Sequence, residues 1–239
     1  MSSTAYPPSA TYPLSVRGFF DQPSRALWLI KWLLLIPHYI ILIFLWLAFW
    51  IVTVIAFFAI LFTTRYPKGL FDFNVGVIRW SWRVSFYGYA ALGTDRYPPF
   101  TLADVPDYPA RLDLEYPQEL NRWLPLVKWL LAIPQYILVG AFVGSGYVVA
   151  ISVQDSHVIR YSTPSLIGAA ALIAAIAMLF TTRYPPGLFD LLVGIDRWGY
   201  RLLVYVALMT DRYPPFRLDQ GSIDVEGQAQ PPGVPEPNQ

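Results

Sequence analysis

Long apolar runs alternate with short polar stretches along the chain, and the order of the runs repeats. A polar lead with alternation at Leu14 and Val16 predicts a brief strand, and Leu112 and Leu114 predict a second one further on. Ser24 and Asn121, both good N-cap residues, then each open an apolar helix. The first apolar run, Leu27 to Phe62, holds 36 residues, with Lys31 and His38 as its strongly polar members. At 1.5 Å per residue it would extend about 54 Å, too long for one crossing of a roughly 30 Å hydrocarbon core and slightly short for two. In the second half of the chain a polar tip, Gln154 to Pro164, separates two apolar spans and predicts a helical hairpin. The first half is read as a hairpin too, although between Tyr39 and Phe62 there is no Gly or Pro to close one. The alternative is a single crossing by His38 to Phe62. Further helices follow over Leu70 to about Leu92 and Leu188 to about Leu208.

Aligning the chain with itself explains the repeated order. The segment Ser24 to Ile40 matches Asn121 to Ile137 at an offset of 97 residues, LFTTRYPKGLFD at Leu61 matches LFTTRYPPGLFD at Leu179 at an offset of 118, and TDRYPPF recurs at Thr94 and Thr210. Within the twelve-residue motif the single change is Lys68 against Pro186. The chain is therefore a tandem duplication, copy one over 1–106 and copy two over 107–220, with a polar tail, 221–239, that reads as disordered. Copy two carries 21 extra residues between its first two landmarks. The motif LFTTRYP marks a corner where a membrane helix ends, its arginine meets the headgroups and the chain turns, Pro67 and Gly69 stopping the previous helix. Two such corners are expected about a pseudo-twofold axis normal to the membrane.

Composition agrees with a lipid solvent: 55% of residues are hydrophobic and 14% charged, with a mean hydropathy of +0.42, far from the usual soluble balance. A net charge of +1 argues against nucleic-acid binding. The absence of cysteine excludes disulfides, thiolate metal sites and cysteine nucleophiles. The N-terminal segment lacks a basic region followed by an apolar core, and so does not read as a cleaved signal peptide. With both copies as hairpins, sixteen of the seventeen Lys and Arg residues share one face and Arg160 lies across the bilayer, as the positive-inside rule prefers. The expected architecture is an all-α integral membrane protein of two repeats, each a transmembrane hairpin followed by an amphipathic interfacial helix, with short extended leads.

The order KWLL-x-IP-[HQ]-Y, a long apolar run, LFTTRYP-x-GLFD, V-x-R-W-x-x-R and TDRYPPF resembles a bacterial membrane family known as domain of unknown function 4389, present here twice, from Tyr12 to Leu218. The resemblance implies a small integral membrane protein and no reaction, cofactor or catalytic residue.

The strongest candidate site is the repeated charge. Asp72, Gly76, Arg79 and Arg83 recur as Asp190, Gly194, Arg197 and Arg201, at spacings that place them on one helix face. With Arg65, Asp95 and Arg96, and with Arg183, Asp211 and Arg212, they predict a structural network in which carboxylates hold arginines. The alternative is that the surplus arginines bind anionic lipid phosphate. His38 and His157 are the only histidines and lie in non-equivalent segments, which builds no metal or nucleophile constellation. The expected function is a non-enzymatic scaffold or accessory subunit of a membrane complex, without cofactor. A small transporter or channel component and an anionic-lipid-binding protein are the alternatives. Expected partners are the lipid bilayer, anionic phospholipids and another membrane protein. The expected location is the cell membrane, multi-pass, with both termini cytoplasmic.

Overall fold

A computed structural model describes residues 12–24, 26–143, 147–151, 158–162, 166–181, 184–219 and 221–222. The predicted leads form strands β1 (Leu14–Gly18) and β2 (Ala110–Leu114). They pair with each other, antiparallel, with Val16 opposite Leu112 at the centre. One copy's lead is thus completed by the other's, which no local pattern announces.

The first apolar run is one unbroken helix, α1 (Trp28–Thr63), instead of the expected hairpin. Pro37 inside the helix removes one donor, but with no Gly or Pro between Tyr39 and Phe62 nothing interrupts the hydrogen bonds over that stretch. It ends where Thr64 takes a left-handed conformation, φ 59°, and donates its N–H to Ile60 O at 2.8 Å. Gly69, expected to help make the turn, is already inside the next helix, α2 (Lys68–Tyr87). That helix returns antiparallel beside α1, with Asn74 Nδ2 donating to Thr53 Oγ1 at 3.2 Å and Lys31 Nζ lying 4.5 Å from the Tyr87 ring centre.

Copy two repeats this plan with an insertion. Helices α3 (Leu124–Leu131) and α4 (Ile133–Val143), bent by 45° at their junction, are followed by a β-hairpin, β3 (Tyr147–Ile151) with β4 (Val158–Ser162), and by α5 (Leu166–Thr181). The buried positions Ile167, Ala171, Ala174 and Met178 of α5 repeat Phe49, Thr53, Ala56 and Ile60 of α1 at the motif offset. So α3, α4 and α5 together stand for α1, and the extra residues interrupt a helix with a β-hairpin where a helical hairpin was expected. Residues 154–157 and 163–164 of the predicted polar tip, with His157, lie outside the described residues, as does the tail beyond 222. The last helix, α6 (Pro186–Val206), corresponds to α2.

The elements stack in three layers. On one face of α2, Trp82 Nε1 donates to Arg17 O at 3.1 Å and Arg79 Nε to Leu112 O at 2.9 Å, joining it to the ribbon of β1 and β2. On the opposite face Trp46 Nε1 of α1 donates to Ser81 Oγ at 3.1 Å. The same holds for α6, between Val16 of the ribbon and Gln135 of α4. Thus α2 and α6, expected to lie as interfacial helices, are the middle layer, buried on both faces. The copies run antiparallel: Tyr184, just before α6, donates its hydroxyl to Ala91 O after α2 at 2.8 Å, and Leu120 N–H reaches Thr64 O at 2.8 Å. A pseudo-twofold axis passes through the Val16 and Leu112 pair, perpendicular to the layers.

The polar residues of α1 are inside. Lys31, His38 and Thr53 lie on its buried stripe with Leu35, Leu42, Phe49, Ala56 and Ile60, whereas from Leu29 to Phe62 every exposed position is aliphatic, aromatic or proline. Lys128 and Gln135 are likewise buried in α3 and α4, beneath exposed Leu126, Trp129 and Ile137. On the ribbon the order is the ordinary one, with Leu14, Val16 and Leu112 inward and Ser15, Arg17, Arg111 and Asp113 outward. Helix α1 is long and apolar enough to cross a membrane, and the bent α3 and α4 pair passes the same test as one span.

Candidate functional site

Most of the recurring charge is spent on holding each copy together. Lys31 Nζ donates to Thr94 O at 2.7 Å and pairs with Asp95 at 3.1 Å; Lys128 Nζ donates to Thr210 O at 2.8 Å and pairs with Asp211 at 2.8 Å. The same carboxylates accept the backbone N–H of Ser24 at 2.5 Å and of Asn121 at 2.6 Å. The two expected N-cap residues therefore lie ahead of their helices as the segments that Asp95 and Asp211 grip. Tyr97 and Tyr213 add hydroxyl bonds to Leu34 O at 2.9 Å and Leu131 O at 3.1 Å. TDRYPPF is thus a latch onto KWLL of its own copy.

His38 belongs to the same latch. Its Nδ1 accepts the indole N–H of Trp80 at 3.1 Å and its ring stacks on Phe100 at 4.0 Å. In copy two Gln135 does this work, accepting from Trp198 at 2.6 Å and donating to Pro214 O at 2.8 Å. A histidine and a glutamine both offer the acceptor that the recurring tryptophan needs, and the glutamine adds a donated bond, whereas His38 Nε2 has no hydrogen-bond partner among the described residues.

The arginines bind carbonyls more than carboxylates. Arg79 donates to Leu112 O and pairs with Asp113 at 3.1 Å, while Arg197 donates to Val16 O at 3.0 Å and to the carbonyls of Asp219 and Gly221. Each reaches the strand contributed by the other copy. Arg83 donates to the carbonyls of Thr101 and Ala103, and burial, with the nearby Arg79 charge, pushes its pKa down to about 10. Arg201 pairs with Asp219 at 2.5 Å. The chain after TDRYPPF lies across the arginine helix as a strap, and the recurring glycines let it approach. A Cβ on Gly76 would sit 2.8 Å from Leu102 Cβ, and one on Gly194 3.1 Å from Asp219 O.

The expected carboxylate partners of these arginines lie elsewhere. Asp72 pairs with exposed Lys68 at 2.9 Å, and Asp190 is half-buried at the rim of a cavity. The reason is geometric: they sit at the starts of α2 and α6, a turn or more short of the arginines, which face the ribbon and strap. Arg65 is exposed at the corner. Arg96 is exposed and donates to Asp107 O at 2.5 Å, its carbonyl accepting the Tyr108 hydroxyl at 2.9 Å. Arg212 is exposed, with its N–H on Thr210 Oγ1 at 3.2 Å. Arg183 lies outside the described residues.

Lys31, Lys128, Asp104, Asp113 and Asp219 were not singled out in the sequence. The exact recurrence of a lysine inside an apolar run was a signal for the first two; the others lie outside the repeated motifs. Asp196 was missed as well, standing where copy one has Ile78. Its Oδ2 is sealed without a hydrogen bond, and burial pushes its carboxyl up to about 7.

The corners form a second arrangement. At copy one Phe71 lies edge-on to Tyr66 at 5.6 Å and to Tyr116 at 5.0 Å. At copy two Phe189 lies edge-on to Tyr184 at 5.8 Å and to Phe20 at 5.3 Å. There a cavity of about 420 Å³ opens among Phe19, Phe20, Tyr184, Pro186, Phe189, Asp190 and Ser222. Among the described residues no group of His, Asp and Glu is arranged to hold a metal ion.

No curated protein and no solved structure matches the chain. The family profile described as "Domain of unknown function (DUF4389)" matches residues 25–101 and 156–217, one segment in each copy and together more than half of the chain. With a latch, a corner and an arginine helix in both segments, the chain belongs to the DUF4389 family as a tandem duplication of its domain.

Proposed function

We propose that the chain is a non-enzymatic membrane protein, a scaffold or accessory subunit, whose helical layer of α1 and α3 to α5 lies in the acyl region of the cytoplasmic leaflet while its ribbon faces water. The observation that carries this is the inverted polarity of α1 and α3: Lys31, His38, Thr53 and Lys128 are inside and the apolar residues outside. Water would expel such a surface; lipid matches it. The exposed apolar arc of α1 covers more than half its circumference. The middle layer of α2 and α6 then falls at headgroup level, where Trp and Tyr are favoured.

Length favours an in-plane position over a crossing. A helix of 36 residues extends about 54 Å against a core of roughly 30 Å. A crossing would also draw the ribbon, with Arg17, Arg111 and Asp113 outward, into hydrocarbon. The second reading, a multi-pass protein with cytoplasmic termini, is favoured by the length and apolarity of α1 and of the bent α3 and α4 pair. The latch and the strap engage most of the recurring charge, which supports a structural role over a catalytic one and disfavours anionic-lipid binding by the arginine stripe.

The chain contains no cysteine, so single cysteines report depth cleanly. Spin labels at positions 44 and 55 of α1 should lie at similar depths, roughly 5–10 Å below the headgroups. A crossing would separate them by about 16 Å, eleven residues of helix. Extraction of the chain from vesicles by carbonate would end both readings. Purification from native membranes as a lone chain that moves solute in liposomes would end the scaffold assignment.

A further inference from the structure

The single difference between the twelve-residue motifs falls on a charge site. In copy one Lys68 reaches Asp72 with Nζ at 2.9 and 3.0 Å from its two oxygens, and the same ammonium lies 5.5 Å from the centre of the Tyr116 ring. Tyr116 arrives from the other copy's lead, two residues after β2, and packs edge-on against Phe71. Copy two keeps the three ring positions and the carboxylate, with Phe20 in place of Tyr116, and lacks the cation. Phe20, two residues after β1, packs edge-on against Phe189, Tyr184 repeats Tyr66 and Asp190 repeats Asp72, but Pro186 replaces the lysine. In its place is the cavity of about 420 Å³, with Asp190 at its rim. Asp190 makes no hydrogen bond or ion pair among the described residues.

We propose that the Asp190 cavity binds a primary alkylammonium group, the group that Lys68 supplies to Asp72 within copy one, and that its source is the headgroup of phosphatidylethanolamine. A carboxylate beside aromatic rings suits an ammonium, which gains charge-assisted hydrogen bonds on one side and ring faces on the other. Proline has no side-chain donor and cannot fill the site. The ammonium chemistry stands on the corner geometry alone, whereas the lipid source rests on the membrane placement proposed above.

The full chain in detergent micelles is mixed with phosphatidylethanolamine, phosphatidylcholine or phosphatidylglycerol of equal chain length, and bound lipid is counted by native mass spectrometry. In a second arm n-butylammonium and n-butanol are compared for their effect on thermal melting. The wild type should retain phosphatidylethanolamine about fivefold over the other two lipids, a ratio within reach of one charge-assisted hydrogen bond. Asp190→Asn should lose that preference. Pro186→Lys should lose it as well, because the new lysine occupies its own carboxylate; this variant copies an arrangement that already folds at Lys68. Asp72→Asn should keep it. Unaltered preference in Pro186→Lys and Asp190→Asn overturns the site, as does a preference for phosphatidylglycerol. A melting shift by butylammonium that needs Asp190, without any lipid preference, overturns the headgroup source and leaves the ammonium site. Failure of the depth measurements with an intact butylammonium response sinks the membrane placement and not this site.

Discussion

Replacing Lys128 by methionine removes one ammonium from a sealed position and leaves the stem, so the consequence is electrostatic with little change in volume. The side chain is 2% exposed and its partner Asp211 28%. Thr210 O loses a donor at 2.8 Å, which costs about 1–3 kcal/mol for a buried orphaned carbonyl. Asp211 loses its cation at 2.8 Å and keeps only the Asn121 N–H at 2.6 Å, a further loss of about 1.5–3 kcal/mol for a charged hydrogen bond. The two terms together span about 2.5–6 kcal/mol, and the expected cost is the middle of that span, about 3–5 kcal/mol, the range for breaking a buried pair from one side. For a chain of this size that corresponds to a fall in Tm of about 6–20 °C. The assay is thermal unfolding in detergent followed by tryptophan fluorescence, with Lys128→Met, Asp211→Asn and the double variant. The double variant should cost less than the sum of the singles by more than about 1 kcal/mol. A loss under about 1 kcal/mol for Lys128→Met, or strict additivity, would refute a sealed latch. Lys31→Met, on the equivalent bonds to Thr94 and Asp95, should behave alike.

Three other outcomes are expected. His38→Gln should melt within about 1 kcal/mol of the wild type, following Gln135, whereas His38→Leu strands the Trp80 indole N–H and should cost about 1–3 kcal/mol by chemical denaturation. Gly76→Ala meets Leu102 Cβ at 2.8 Å and Leu102 O at 3.0 Å and should lose about 1–3 kcal/mol in the same measurement, more than Gly194→Ala, whose nearest contact is 3.1 Å. Asp196 carries a pKa raised from 3.8 to about 7, so the folded state holds a proton that the unfolded state has released between those values. Stability should fall as pH rises through that window, by about 2 kcal/mol after discounting the roughly 4 kcal/mol of the full shift for a half-buried group. Asp196→Asn should abolish the slope between pH 4 and 8, and a retained slope assigns it to another group.

The local content of the sequence determined the repeat, the leading strands and the second helix of each copy, but not the single helix α1 or the hairpin of β3 and β4. Two offsets marked the duplication and its insertion, alternation at Leu14 and Val16 and at Leu112 and Leu114 marked both strands, and the motif boundaries placed α2 and α6 within a few residues. Spacing also put Asp72, Gly76, Arg79 and Arg83 on one face of one helix, all four within α2. Which surface each face meets was decided only in three dimensions. An apolar run has the same pattern in a hairpin as in one long helix, and the absence of a breaker in α1 prevailed over the analogy with copy two. Opposite charges on one helix suggested pairing, yet the arginines turned to carbonyls of the ribbon and strap, because segments distant in the chain cross at that level. Asp95 and Asp211 met lysines sixty and more residues away, whose burial inside an apolar run is visible only once α1 and α3 have their neighbours. Periodicity records which side of an element differs from the other; only the assembled layers determine whether that side faces protein, water or lipid, since this depends on contacts between segments far apart in the chain.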